Sequence, residues 1–348
     1  MIREPGSSHL QSNITVTGWD IGGVNLKAAR LNAEGLKVIH QPFAIWQHRA
    51  ELAETLAQLS AQLEPTPQAA VTITAELSDA FRTKREGIAF VLDALQAALP
   101  QTELQIFGLD GQFHPAGVAY AQPLLVAAAN WLATALLVAR EFADCLLVDI
   151  GSTTTDIIPI RGGQVLAEGR SDPERLVRGE LFYTGALRTP VCATVQSVPL
   201  WGGWCSVSAE LFATAQDVHL LLGALPAAQC TSPTADGRPA TPEFAAERLA
   251  RVVCADSEML SRQEIEAIAR YVAQKQVSQI SQALTQVMSR VKLNGPVVAV
   301  GVGAFLAEAA AARLGLDSLR PPALASGEAS LAAPAVAVAH LLRERNNV

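Results

Sequence analysis

A strand that ends in aspartate and turns at once through glycine occurs twice in this chain. Gly18-Trp19-Asp20-Ile21-Gly22-Gly23 closes an alternating segment over residues 14–20, and Leu147-Val148-Asp149-Ile150-Gly151-Ser152 closes the almost wholly apolar segment 145–150. Each copy leads into a second extended segment, residues 25–31 in the first and 156–160 in the second, and each reads as a hairpin, the first by its turn Asn32-Ala33-Glu34-Gly35. A strand–turn–strand signature repeated in both halves constrains the chain to two similar lobes. The length agrees, since 348 residues correspond to about two domains.

Around the hairpins the apolar period lengthens. Leu52, Leu56, Leu59 and Leu63 predict a helix over 50–63, followed by a buried strand over 69–74, a helix over 84–99 and a short strand over 103–107. An alanine- and leucine-rich run predicts one helix over 123–140. Residues 172–239 are rich in Gly and Pro with little periodicity and read as loops and substrate-contacting surface. Helices follow over 241–255 and 261–288. A last buried strand, 296–300, passes through Gly301-Val302-Gly303 into a helix over 304–314, and a helix over 332–344 closes the chain. Such alternation predicts an α/β fold with lobes 1–140 and 141–348, the final helix packing back on the first lobe.

Composition removes several function classes. A net charge of −7 with 26 Lys+Arg against 33 Asp+Glu offers no basic surface for nucleic acid or anionic lipid. Residues 1–13 are polar without an apolar core, so no secretory leader is expected and the protein reads as cytoplasmic. The apolar stretch 124–138 is broken by Asn130 and Thr134 and is shorter than the roughly 20 residues a membrane span needs. Five spaced cysteines without a C-x-x-C suggest neither disulfides nor a zinc site. The six histidines lack metal-pair spacing, and no G-x-S-x-G or Walker-type sequence is present.

Chemistry concentrates at the glycine turns. Glycines directly after a strand bring backbone N–H groups close to an anion, and an aspartate at the strand end can hold a divalent ion between carboxylate and phosphate. Turn statistics alone explain one such copy; two copies plus a third turn at Gly301 and Gly303, which opens a helix N-terminus, point to a phosphate-bearing ligand.

The combination resembles the actin, Hsp70 and sugar-kinase superfamily over residues 18–27, 147–158 and 297–308. Residues 18–27 (GWDIGGVNLK), 74–79 (TAELSD), 83–87 (TKREG), 127–134 (AAANWLAT), 149–156 (DIGSTTTD) and 183–193 (YTGALRTPVCA) are similar to the hydantoinase/oxoprolinase-related family, in its branch linked to tetrahydromethanopterin-dependent one-carbon metabolism. The resemblance implies a two-lobed actin-like ATPase (ribonuclease H-like) fold with an interlobe cleft. It implies methanofuran-type cofactor assembly, in which an aminomethylfuran-methyl diphosphate condenses with the phenol of γ-glutamyltyramine and diphosphate leaves.

On that reading Asp20, Asp149 and Asp156 would position Mg²⁺ on the diphosphate, and Lys27 would add a positive charge. Gly22, Gly23, Asn25, Gly151, Ser152, Thr153, Thr154, Gly301 and Gly303 would line the phosphates, although β-propensity equally explains the Ser/Thr run. Glu76, Asp79 and Glu180 are candidates to take the phenolic proton, against the plain reading of solvated carboxylates. Lys84 and Arg85 open a helix, where the dipole disfavours cations, and so suit an anion. Asn130 interrupts an apolar helix, and Trp131 reads as core or as a surface for a substrate ring. Arg175, Arg178 and Arg188 around Glu180 and Tyr183 would bind the γ-glutamyl carboxylate, or form a charged loop. Ser152 in place of a second glycine, and Val24 in the first turn, weigh against ATP. An ATP-dependent kinase or hydantoinase-like enzyme, a non-catalytic actin-like nucleotide-binding module and a pterin-binding cleft remain the alternatives.

Overall fold

The computed structural model describes residues 14–347, so the polar stretch 1–13 read above for a leader lies outside it. The chain divides into two compact units, one running to Ala133 and resuming at Pro334, the other Thr134–Ala333.

In the first unit, strands β1 (Val16–Gly22), β2 (Asn25–Asn32), β3 (Gly35–Pro42), β4 (Gln68–Thr74), β5 (Glu103–Phe107) and β6 (Phe113–Pro115) form one sheet in the order β3-β2-β1-β4-β5-β6. The β1–β2 and β2–β3 pairs are antiparallel, whereas β1–β4 and β4–β5 are parallel. Strand alternation splits β1 cleanly. Trp19 and Ile21 join Leu26, Val71 and Ile73 in a core closed by Leu52, Leu56, Ile88 and Val91 from the helices Leu52–Leu63 and Lys84–Ala98. Gly18 points the other way. A Cβ there would lie 2.0 Å from the Ala335 carbonyl oxygen and 2.9 Å from the Ala339 nitrogen, so only glycine lets the C-terminal helix Ala333–Arg345 settle on the strand. Asp20 is two residues further along that same face.

The second unit repeats the pattern with β7 (Cys145–Ile150), β8 (Thr155–Arg161), β9 (Gln164–Val165), β10 (Leu181–Phe182), β13 (Val297–Val300) and β14 (Ser318–Leu319), in the order β10-β8-β7-β13-β14 with β9 on β8. Again the hairpin is antiparallel and the next two strands are parallel. Leu146, Val148 and Ile150 pack with Leu284 and Val287 of the helix Arg262–Arg290 and with Leu306 and Ala310 of the helix Ala304–Arg313. A separate helical core gathers Val218, Leu249, Ile265 and Ile268, flanked by the hairpin β11 (Ser197–Leu200) and β12 (Gly203–Ser206).

Three expectations change. Strand β3 was not foreseen; it continues the first hairpin through the turn Asn32–Gly35, whose Asn32 Oδ1 accepts from the Glu34 and Gly35 amides. The helix predicted over 123–140 is two helices, Pro123–Val126 and Asn130–Glu141. Between them Ala127 bridges to Ile73, the Ala128 amide donates to the Ile73 carbonyl, and Ala128 takes a φ of 51°. The chain there extends the sheet beside β4, and strand pairing overrides helix propensity. Within 172–239, the helices Asp172–Arg178 and Ala215–Leu221 are each fixed by a capping box, Ser171 with Glu174 and Thr214 with Asp217. Among the described residues no helix is long and apolar enough to cross a membrane.

Candidate functional site

In the first unit the sequence-predicted residues gather at the carboxyl ends of β1 and β4. Lys27 is the cross-strand partner of Asp20, and its Nζ lies 3.0 Å from Asp20 Oδ2. Thr74, at the end of β4, donates to Asp20 Oδ1 at 3.4 Å. Asp20 itself is 2% exposed, a buried carboxylate that needs such partners. On its far side Lys27 pairs with His40 of β3, whose imidazole is pushed down to about 4 by burial and by the Lys27 charge, against the opposing pull of Asp20. His40 therefore stays neutral beside the ammonium.

The turn that follows has a definite polarity. The Gly23 carbonyl accepts from the Ile45 amide at 3.0 Å and the Val24 carbonyl from the Phe43 amide at 2.9 Å, while the Gly23 and Val24 amides make no hydrogen bond to any described residue. The Asn25 side chain is buried, and its Oδ1 has no partner among the described residues. Carbonyls turned inward and amides left over make a concavity suited to an anion.

Glu76 and Lys84 also meet, Nζ to Oε1 at 3.2 Å. The first turn of the helix Lys84–Ala98 lies directly on Glu76, because a Cβ at Gly87 would come 2.6 Å from the Glu76 Cα. The Thr83 hydroxyl caps that helix by accepting from the Glu86 amide. Glu76 thus offsets the unfavourable placement of Lys84 at a helix N-terminus.

In the second unit the turn Gly151–Thr154 has the same polarity. Its Gly151 carbonyl accepts from the Ala186 amide, and its Ser152 carbonyl from the Leu187 and Arg188 amides. The Ser152, Thr153 and Thr154 amides donate to no described residue. The third glycine turn is built into the second. Gly303 donates its amide to the Ile150 carbonyl at 2.8 Å. Gly301, at φ 85°, runs so close that a Cβ would stand 2.4 Å from the Ile150 oxygen and 2.6 Å from Asp149 Oδ1. Ser330, which was not foreseen, accepts from the Gly301 amide at 3.0 Å.

Several other predicted residues meet protein partners. Asp149 and Asp156 stand opposite each other on β7 and β8, an arrangement that like charges disfavour. Arg175, 2% exposed, meets Asp156 Oδ1 at 2.9 Å and donates to the Glu180 carbonyl. Glu180 is fully buried; its carboxylate accepts from the Glu168 and Gly169 amides and pairs with Arg290. Arg178 pairs with Glu168. Glu180 and Arg178 thus each have carboxylate, amide or guanidinium partners within the second unit. Trp131 is 1% exposed and belongs to the core, so a substrate ring has no face of it to stack on. Asn130 opens the helix Asn130–Glu141 just after the Ala128 bend. Gly22, alone of the first-turn residues, packs closely, a Cβ there lying 2.9 Å from the Asn25 carbonyl oxygen. Asp79 lies between Glu76 and Lys84 in sequence, and Arg85, next to Lys84, reaches the Tyr120 carbonyl at 3.5 Å.

Two units that each join an antiparallel hairpin to two parallel strands, with a glycine turn after the hairpin's first strand, define the actin-like ATPase class of fold. The chain belongs to the hydantoinase/oxoprolinase family, which matches residues 68–345. It is 34% identical over 333 residues, covering 95% of this chain and 98% of the relative, to the (4-{4-[2-(gamma-L-glutamylamino)ethyl]phenoxymethyl}furan-2-yl)methanamine synthase of Methanocaldococcus jannaschii. A synthase of the same name from Methanococcus vannielii is 39% identical over 121 residues, 35% of this chain and 54% of the relative. Among solved structures, the nucleotide-free acetone carboxylase matches at a TM-score of 0.56 with 10% identity, over 93% of this chain and 70% of its own. That likeness concerns the fold alone.

Proposed function

We propose that this chain is a synthase of methanofuran-type cofactor assembly that joins an aminomethylfuran-methyl diphosphate to the phenol of γ-glutamyltyramine. The observation that carries the reading is the shared polarity of the turns at Gly23–Val24 and Ser152–Thr154, whose amides are left for an anion while their carbonyls are tied back. The relatives named above support the choice of substrates.

In this reaction the bond from the furfuryl methylene carbon to the diphosphate oxygen breaks as the phenolic oxygen bonds to that carbon, and the phenolic proton is released. The methylene carbon ionises readily, so the protein's task is to stabilise the departing diphosphate and to aim the phenol. Each turn by itself offers amide donors to phosphate oxygens, and Lys27 adds its ammonium beside the first. Mg²⁺ binds through one or two carboxylates together with phosphate oxygens and water, so it would be brought in by the diphosphate. Asp149 and Asp156 at the second turn, and Asp20 at the first, are the carboxylates that would hold it. Held there, it would neutralise charge on the leaving group. Glu76 holds Lys84 in place through their ion pair, and the Lys84 charge favours the phenolate.

The test is incubation of purified protein with both substrates and Mg²⁺, with and without ATP. Equimolar diphosphate and ether product, detected by mass without ATP consumption, is the expected result. Ether formation only with ATP turnover, or none at all, overturns the proposal.

A further inference from the structure

The second turn is gripped by a strap, residues 184–188, and the strap has its own buried anchor. Gly185 lies so close to the turn that a Cβ would stand 2.5 Å from both the Ser152 oxygen and the Thr153 nitrogen. Ala186, Leu187 and Arg188 then donate their amides to the Gly151 and Ser152 carbonyls. The position of the Ser152–Thr154 amides is thus set by where the strap runs.

The strap is fixed from behind by side chains. Thr155 donates to the Thr184 carbonyl at 2.7 Å, and the Thr189 hydroxyl accepts from the Gly185 amide at 2.8 Å. Gln276, 1% exposed on the helix Arg262–Arg290, donates its Nε2 to Thr184 Oγ1 and to the Gly185 carbonyl, both at 2.9 Å. Its Oε1 lies 2.8 Å from His219 Nε2. Because an amide oxygen only accepts, His219 must carry its proton on Nε2. The His219 ring meets Phe305 edge-on at 5.1 Å, and Phe305 sits in the first turn of the helix that follows Gly303. Gln276 stands in a stripe with Ile268, Val272, Ile280 and Leu284, all buried, where an aliphatic residue would pack without any polar partner. A buried polar chain hydrogen-bonded from His219 Nε2 through Gln276 to the strap specifies one geometry instead of adding bulk stability.

We propose that Gln276 and His219 are positioning residues for the second turn: through the strap they hold the Ser152–Thr154 amides in the arrangement that receives diphosphate. The inference rests on the reading of that turn as a diphosphate site.

The experiment titrates the full-length protein with inorganic diphosphate and Mg²⁺ and follows the KM of each substrate. Wild type binds diphosphate. Gln276→Met and His219→Phe raise the diphosphate Kd and the KM of the furan diphosphate about ten- to hundredfold, the range for outer-sphere positioning groups, with the KM of the phenolic acceptor unmoved. His219→Gln, which keeps an amide donor for Gln276 Oε1, rescues binding. Should Gln276→Met fail to fold, the contrast between His219→Phe and His219→Gln decides. Unchanged diphosphate binding in folded His219→Phe, equal loss in His219→Gln, or an equal rise in both KM values overturns the positioning role. A wild-type protein that binds no diphosphate removes the underlying reading as well.

Discussion

Lys27 stands directly across the β1–β2 ladder from Asp20, its Nζ 3.0 Å from Oδ2, two residues before β1 gives way to the first glycine turn. The ammonium is held by a buried carboxylate on one side and a neutral imidazole on the other. A charge-assisted hydrogen bond to a phosphate oxygen is worth about 1.5–3 kcal/mol, so Lys27→Met is expected to raise the KM for the diphosphate substrate about ten- to hundredfold. It also strips the Asp20 carboxylate of its ion-pair partner and lowers stability. Asp20→Asn combined with Lys27→Met recovers the unfolding midpoint and leaves the KM high, which steady-state kinetics and urea melts separate.

Glu76 and Lys84 form a second such pair, with Glu76 at 2% exposure. Breaking a buried pair from one side costs about 3 kcal/mol. Lys84→Met is expected to lose about that much in urea unfolding, and Glu76→Gln with Lys84→Met to regain most of it. A double variant no more stable than Lys84→Met would show that the two charges are not coupled.

His219 links stability to pH. Burial pushes its pKa down to about 4, partly opposed by the Gln276 hydrogen bond, from an ordinary 6.5. Between those values the unfolded chain binds a proton that the folded chain does not, so stability falls as pH drops from 6.5 towards 4, by up to about 3 kcal/mol. Unfolding midpoints at pH 7 and pH 4.5 should differ less in His219→Gln than in wild type.

Gly18 and Gly23 separate stability from binding. Gly18→Ala drives a methyl into the backbone of the helix Ala333–Arg345 and should cost about 1–3 kcal/mol or more. Gly23→Ala meets nothing within 4 Å, so its melting temperature should match wild type. Equal melting temperatures for all three proteins would contradict the packing at Gly18.

The hairpins were legible because alternation and an aspartate–glycine turn act over a few residues, and the chain repeats them. Strand β3 was not, since as a sheet edge it has no residue buried in the pattern that marks a strand face. The break at Ala128 was invisible for another reason: alanine favours helix, and only Ile73, distant in sequence, supplies the competing bond. Asp20 and Lys27 could be singled out from the turn, but the partnership of Glu76 with Lys84 depends on a helix lying against a strand end. Arg178 and Glu180 look like ligand-binding charges in sequence, and only the fold reveals Glu168, Gly169 and Arg290 as their partners. Gln276 and His219 carry no local signal at all.

The leftover amides of each turn are the expected donors to phosphate oxygens. Backbone-amide NMR of ¹⁵N-labelled protein titrated with inorganic diphosphate and Mg²⁺ tests this at named atoms. The largest saturable shifts should fall on Gly23 and Val24 in the first unit and on Ser152, Thr153 and Thr154 in the second. Saturable shifts centred elsewhere, with these five amides unmoved, would contradict it.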